Sequence, residues 1–162
     1  MARLPEGKVV FVEGALPGER AAVRVYKQKP RLAIARVISI ERPSAERREP
    51  RCPHFGVCGG CVLQHAEGAL QLEAKRDGLE QSLARIGKTA PGRWLPSVQG
   101  EEWGYRRRAR LSVRRVPEKG GVLVGFRERR SSYVANLREC SVLPDEISAL
   151  IQIGRASCRE RV

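Results

Sequence analysis

A chain of 162 residues that is 41% hydrophobic has room for one packed domain or two small ones, while 5% aromatic content makes for a lean core. No apolar run approaches the roughly 20 residues of a membrane span. The first residues also lack the charged start, apolar middle and small-residue cleavage site of an export signal, so a cytoplasmic protein with no membrane partner is expected. Lys and Arg number 31 against 18 Asp and Glu, a net charge of +13; this favours a polyanionic partner, because each phosphate neutralised releases condensed counterions.

Most of the cations are Arg, whose planar fork pairs two donors with a phosphate. GC-rich codon usage accounts for part of such an excess. Five cysteines make an odd count for disulfides, and in a reducing compartment clustered cysteines are more often metal ligands or reactive groups.

In chain order, Lys8 to Val12 is a short apolar strand, closed by the turn-rich Gly14-Ala15-Leu16-Pro17-Gly18. Ala21 to Lys27 alternates, with Ala21, Val23 and Val25 on one face. Beyond Lys29-Pro30, Leu32 to Ile40 reads as a third strand rich in Val and Ile. Short strands joined by Gly and Pro turns suggest a small barrel over residues 1–42. Three strands are too few to close one, so further strand is expected before Met1. Residues 43–51 are polar, charged and flanked by proline, as in a linker. The cysteine segment follows, and with the helix after it occupies 52–88. Leu72, Leu79, Leu83 and Ile86 share one helical face within Ala66 to Ile86, with Gly87 as the stop and Gly78 as a weak point.

A third part, 89–150, starts with a connection holding both tryptophans. Tyr105 to Val116 and Val122 to Arg129 form a hairpin about residues 117–121, and a third strand, Tyr133 to Leu137, runs into Cys140. Residues 153–162, from Ile153 to Val162, follow no periodicity and complete no element. They resemble the conceptual translation of a DNA sequencing adapter, and are set aside from fold reasoning on that expectation. Cys158 leaves the cysteine count with them.

Cys52-Pro-His-Phe-Gly-Val-Cys58-Gly-Gly-Cys61 places three thiols within ten residues. Two thiolates separated by two residues can face one metal centre, and Gly59 and Gly60 allow a tight path that aims amide N–H groups at sulfur. A fourth ligand is then expected, and Cys140 can be brought back by the hairpin and its third strand. The spacing leaves zinc and iron–sulfur equally open, with His54 or His65 as substitute zinc ligands.

Tyr105 to Arg114 alternates in charge. Arg106, Arg108, Arg110, Ser112 and Arg114 fall on one face of a strand, and Tyr105, Arg107, Ala109, Leu111 and Val113 on the other. Such a guanidinium row can track a phosphate backbone, and Arg127 on the partner strand can widen it. Lys27, Lys29 and Arg31 form a second basic cluster. The plainer reading of either is a solvated charged face.

These residues also resemble a known family. Gly7-Lys8-Val9-Val10-Phe11-Val12 with Ala15-Leu16-Pro17-Gly18-Glu19 resembles the TRAM domain, an OB-like RNA-binding barrel. The Cys52–Cys61 motif with Leu63-Gln64-His65 resembles the cluster motif of bacterial RNA uracil-5-methyltransferases. Tyr105-Arg106, Ala109 to Val113, Val124-Gly125-Phe126-Arg127 and Cys140 fit the same pattern, and the branch that combines a TRAM domain with a cluster acts on 23S ribosomal RNA.

The resemblance implies that Cys52, Cys58, Cys61 and Cys140 hold a [4Fe–4S] cluster. It also implies uracil flipping, thiolate addition to the ring and methyl transfer from S-adenosylmethionine to C5. The Rossmann-like methyltransferase domain that carries that chemistry is not found in this sequence. The chain is therefore expected to be an N-terminal fragment of mixed β and α+β fold: a partial TRAM barrel, a cluster segment with its helix, and the start of an antiparallel-sheet domain. On that expectation it is monomeric, binds 23S rRNA, contains no catalytic or S-adenosylmethionine-binding residue and is inactive alone; Cys158 is no nucleophile. The alternative is a free-standing RNA-binding module with a structural four-cysteine zinc site.

Overall fold

A computed structural model describes residues 1–4, 6–119 and 121–160. Gly120 of the expected hairpin loop, and Arg161 and Val162 of the expected adapter segment, lie outside the described residues. The chain divides into two compact units, Met1–Arg48 with His65–Glu67, and Glu49–Gln64 with Gly68–Val162.

The first unit is a four-stranded sheet in the order β1-β2-β4-β3. Its strands are β1 (Ala2–Arg3), β2 (Val9–Glu13), β3 (Arg20–Gln28) and β4 (Leu32–Arg42). The three strands legible in the sequence are present, and the fourth comes from Ala2–Arg3, a two-residue strand too short for any periodicity to announce. β2 pairs in parallel with β4, and β3 pairs antiparallel with its other edge. Val10, Ala33 and Ala35 are buried with Val12 against them, so the sheet covers one face with small side chains.

Glu19 fastens this unit. Its side chain is fully enclosed and accepts the Leu16 N–H at 2.7 Å, the Ser44 N–H at 3.2 Å and both ends of an Arg47 fork at 2.5 and 2.8 Å. Arg47 also donates to the Gly14 carbonyl at 2.6 Å. The turn before β3 is thereby joined to the segment after β4. Within the stretch expected as a linker, Arg47 bridges Ala66, and Arg48 N–H donates to the His65 carbonyl at 3.0 Å. These residues are ordered parts of the first unit.

In the second unit α1 spans Gly68–Arg85. Of the four residues expected on one helical face, Leu72 and Leu83 are half-buried while Leu79 and Ile86 are exposed, and the helix's buried residue is Leu70. Helical spacing aligned those residues without supplying a surface to cover them all. After the helix, Lys88 takes the left-handed conformation at φ 48°, and Gly87 lets its backbone approach the Leu83 carbonyl.

β5 (Ser112–Val116) and β6 (Gly121–Gly125) form an antiparallel hairpin around a short 3-10 turn, Pro117–Lys119. The expected strand from Tyr105 is therefore shortened to begin at Ser112. Residues 133–137 run beside β6: Leu137 N–H donates to the Val124 carbonyl and Ala135 N–H to that of Phe126. They form one isolated bridge, Arg127 to Val134, rather than a regular strand. Gly125 is obligatory in this packing, because a Cβ there would collide with the Ala135 carbonyl.

The last described element is α2 (Asp145–Glu160), which the sequence reading did not foresee. Pro144 precedes it, and Asp145 and Glu146 occupy its positive N-terminal turn. Residues 153–160, expected to complete no element, continue this helix. Ala, Arg and Glu favour helix, so that continuation reflects residue type and says nothing of the segment's origin. The core of the unit gathers Val122, Val124, Ala135, Leu137, Val142, Leu143 and Ile151. No helix among the described residues is long and apolar enough to cross a membrane.

Candidate functional site

The cysteine loop is built as a series of tight turns. Phe55 N–H donates to the Cys52 carbonyl at 3.0 Å, and Cys58 N–H to the His54 carbonyl at 2.9 Å. The loop then docks against the chain that follows β6. Gly59 N–H donates to the Arg127 carbonyl at 2.9 Å, and Arg129 N–H to the Val57 carbonyl at 3.0 Å. A Cβ on Gly59 would lie 2.8 Å from that Arg127 carbonyl, so this contact requires glycine.

That docking explains the shortened basic strand. In register with β5, residues 126–129 would have paired with Leu111 and the arginines before it. The same edge is instead bonded to Val57 and Gly59. Without a partner ladder Tyr105 to Leu111 is not a strand, and its alternation defines no sheet face.

The run of residues 137–140 returns Cys140 to the loop. Cys52, Cys58, Cys61 and Cys140 line one pocket together with Phe55, Gln64, Phe126 and Glu139. Cys58 and Cys140 are buried, Cys52 and Cys61 partly so. Gln64, itself buried, accepts the Cys52 N–H at 3.1 Å. Gly60 N–H points at Cys58 Sγ at 3.3 Å, and Cys140 N–H donates to Ser148 Oγ at 2.8 Å. His54 Nε2 accepts the Arg138 N–H at 3.1 Å, which ties the motif to a residue two before the fourth cysteine. His54 is thus engaged by backbone, and His65 lies in the other unit; neither is among the residues lining the pocket.

Burial pushes the Cys52 and Cys58 thiols up, and the neighbouring cysteines push them further; backbone N–H groups at His54 and Gly60 act against this. Thiolates gathered in such a pocket need a positive group among them. The donor set, the amide aimed at sulfur and the glycine-dependent loop fit a metal-containing group. Among the described residues, no three His, Cys, Asp or Glu side chains converge closely enough to hold a single ion.

The basic residues fall into two sets. Lys27, Lys29 and Arg31 are exposed around the β3–β4 turn, where Lys29 N–H donates to the Leu32 carbonyl at 2.8 Å. Arg108, Arg110 and Arg127 are exposed in the second unit. Arg106 separates from them: its N–H donates to the Val142 carbonyl at 2.8 Å and its guanidinium lies 5.2 Å from the Phe126 ring centre. Gln64, Phe126, Glu139 and Ser148 were not singled out as site residues from sequence; the family likeness touched two of them, through Leu63-Gln64-His65 and Val124-Gly125-Phe126-Arg127.

The sheet-rich first unit is where a known domain family is found: the model of the TRAM domain matches residues 1–38. Over 151 residues, 93% of this chain and 32% of the relative, the sequence is 59% identical to the 23S rRNA (uracil(1939)-C(5))-methyltransferase RlmD of Bordetella parapertussis. Proteins of the same name from Thiobacillus denitrificans and Dechloromonas aromatica are 53% and 52% identical, over 100% and 90% of this chain and 38% and 34% of theirs. The chain is thus a close homologue of these methyltransferases over the part it spans, about a third of the length of the curated relatives it matches.

Proposed function

We propose that this chain is the RNA-binding and [4Fe–4S]-binding part of an S-adenosylmethionine-dependent 23S rRNA uracil-C5 methyltransferase. The observation that carries the reading is the meeting of Cys52, Cys58, Cys61 and Cys140 in one pocket, in a chain so close to proteins of that name. In this reading residues 1–42 form an OB-like RNA-binding TRAM domain and 52–150 the cluster-bearing part. Residues 153–162 are adapter translation, and the chain acts as a cytoplasmic monomer. Methyl transfer and S-adenosylmethionine binding need residues beyond these 162, so the chain alone methylates nothing.

The group held by the cysteines supplies positive charge to buried thiolates and ties distant segments together. Gln64 fixes the Cys52 backbone, Gly60 stabilises the Cys58 sulfur by its N–H, and Ser148 holds the Cys140 backbone. Lys27, Lys29, Arg31, Arg108, Arg110 and Arg127 supply cationic contacts for RNA, while Arg106, expected among them from the sequence, is drawn over the Phe126 ring.

Anaerobic reconstitution with iron and sulfide tests the metal. A brown protein with broad visible absorbance, weakened by Cys140→Ser, is expected. A colourless protein that takes up one zinc per chain instead supports the free-standing zinc module. Incubation with rRNA and labelled methyl donor should yield no product, and robust methylation would overturn the assignment of catalysis to residues outside the chain.

A further inference from the structure

The first unit presents a second sheet face that its core does not use. Val10, Val12, Ala33 and Ala35 point to the covered side. Phe11, Glu13, Ile34 and Arg36 alternate with them and point to the other, since Phe11 pairs with Ile34 and Glu13 with Arg36. Arg24 lies opposite Arg36 and Lys27 opposite Ile34, so both join that face. An irregularity between Val25 and Lys27 inserts Tyr26 beside them.

Tyr26 is fixed in place. Its hydroxyl donates to Glu13 at 2.9 Å, and the Arg36 guanidinium lies 6.0 Å from its ring centre and 3.5 Å from the same carboxylate. Phe11 is nevertheless 45% exposed and Tyr26 49% exposed. Two large rings on a positively charged open face suit a ligand that is flat and anionic. Glu13 offsets the charge of Arg36, its ion-pair partner, and the net positive charge of the face comes from Arg24 and Lys27. Residues 1–48 carry eleven Lys and Arg against five Glu, which matches a phosphate-bearing strand rather than a neutral apolar partner.

We propose that this face binds single-stranded RNA by stacking bases on Phe11 and Tyr26, with Arg24 and Lys27 meeting the adjacent phosphates. The proposal rests on the reading of this chain as RNA-binding and adds the form of RNA recognised. Arginine and lysine rows attract duplex and single strand alike, whereas ring stacking needs bases already unpaired. The face therefore selects loops and unpaired segments.

Fluorescence anisotropy with the 162-residue chain tests it, using a labelled 12-nucleotide single-stranded RNA and the matching duplex at one salt concentration. Phe11→Ala and Tyr26→Ala should each weaken single-strand binding about tenfold and leave duplex binding unchanged. Tyr26→Phe, which keeps the ring, should restore it. Phe11→Leu keeps apolar cover without an aromatic face, so it should fail like Phe11→Ala and decides the matter if the alanine variant melts early by circular dichroism.

The double change Lys27→Glu, Lys29→Glu should weaken both RNAs and flatten the salt dependence. If that variant loses binding while the ring variants match the wild type, stacking is overturned and RNA binding stands. If the wild type binds neither RNA, both readings fall. Equal losses on duplex and single strand in the ring variants would also overturn stacking, leaving a general electrostatic surface.

Discussion

Replacing Glu19 by Gln should destabilise the first unit by about 3 kcal/mol at neutral pH, and the loss should shrink on acidification. The carboxylate is fully enclosed, and its two oxygens accept N–H groups from Leu16, Ser44 and Arg47. An amide NH2 would face donors at one of those positions and leave the Arg47 guanidinium, 23% exposed, without its counter-charge. The Arg47 hydrogen bonds hold the Glu19 carboxyl at about 2 against an ordinary 4.5, with help from the Leu16 and Ser44 amides and against the opposing effect of burial.

A carboxyl so depressed stabilises the fold fully above its unfolded value and loses that contribution as pH falls from about 4.5 towards 2. At about 1.4 kcal/mol per pH unit the whole effect is about 3 kcal/mol, trimmed somewhat by water at Arg47, and about 2 kcal/mol of it is gone by pH 3. Urea melts of wild type and variant by circular dichroism at pH 7 and pH 3 measure the gap. Hydrogen exchange at pH 7 locates it, with faster exchange at Leu16 and Ser44. A gap under about 1 kcal/mol at pH 7, or one unchanged at pH 3, would refute the reasoning.

Gly125→Ala should cost the second unit about 2–4 kcal/mol, because the added methyl meets the Ala135 carbonyl and must part β6 from residues 133–137; thermal melts followed by Trp103 fluorescence would show it. Arg108→Glu with Arg110→Glu should weaken RNA binding and lower the slope of log affinity against log salt by up to about two, whereas Arg106→Ala should chiefly affect stability, since its guanidinium covers Phe126. An unchanged slope would make Arg108 and Arg110 plain solvated surface. His54→Ala should slow reconstitution and hasten bleaching in air by freeing the Arg138 amide beside the fourth cysteine, while His54→Gln, able to accept that N–H, should recover part of the loss.

Local spacing made some of this legible and long-range competition hid the rest. Three cysteines within ten residues, and a fourth at the end of a strand-like run, sufficed to anticipate one pocket, because the turn chemistry of Gly59 and Gly60 and the return of residues 133–137 are both local patterns. β2, β3 and β4 were readable for the same reason. The strand expected from Tyr105 failed because alternation describes a side chain's face but not who pairs with the backbone, and Val57 and Gly59 had taken the edge it required. The leucines of α1 aligned correctly, yet helical spacing cannot say whether a covering surface exists. Glu19 and Arg47, 28 residues apart, carry no shared periodicity at all. α2 was signalled only by Pro144-Asp145-Glu146, because its second half falls in residues 153–160, where no apolar periodicity marks a helix.

The distance between Cys61 and Cys140 gives the cysteine pocket a structural weight that its small size conceals. The chain between them includes an exposed run outside regular structure, Lys88 to Glu102, while the ends of the loop, Cys58 and Cys140, are buried in one core with Val124 and Leu137. Closing a loop of about 80 residues removes roughly 4–5 kcal/mol of unfolded-state entropy in the relation used for disulfides. The hydrogen bonds through His54 and Arg127 that now close it are few, and each adds only about 1 kcal/mol. A tie through all four thiolates would therefore add to the core packing that already joins the cysteine loop to the Cys140 segment. Loss of the group should loosen the second unit while leaving the first unit's sheet intact, since the Glu19–Arg47 pair that fastens that sheet lies wholly within the first unit.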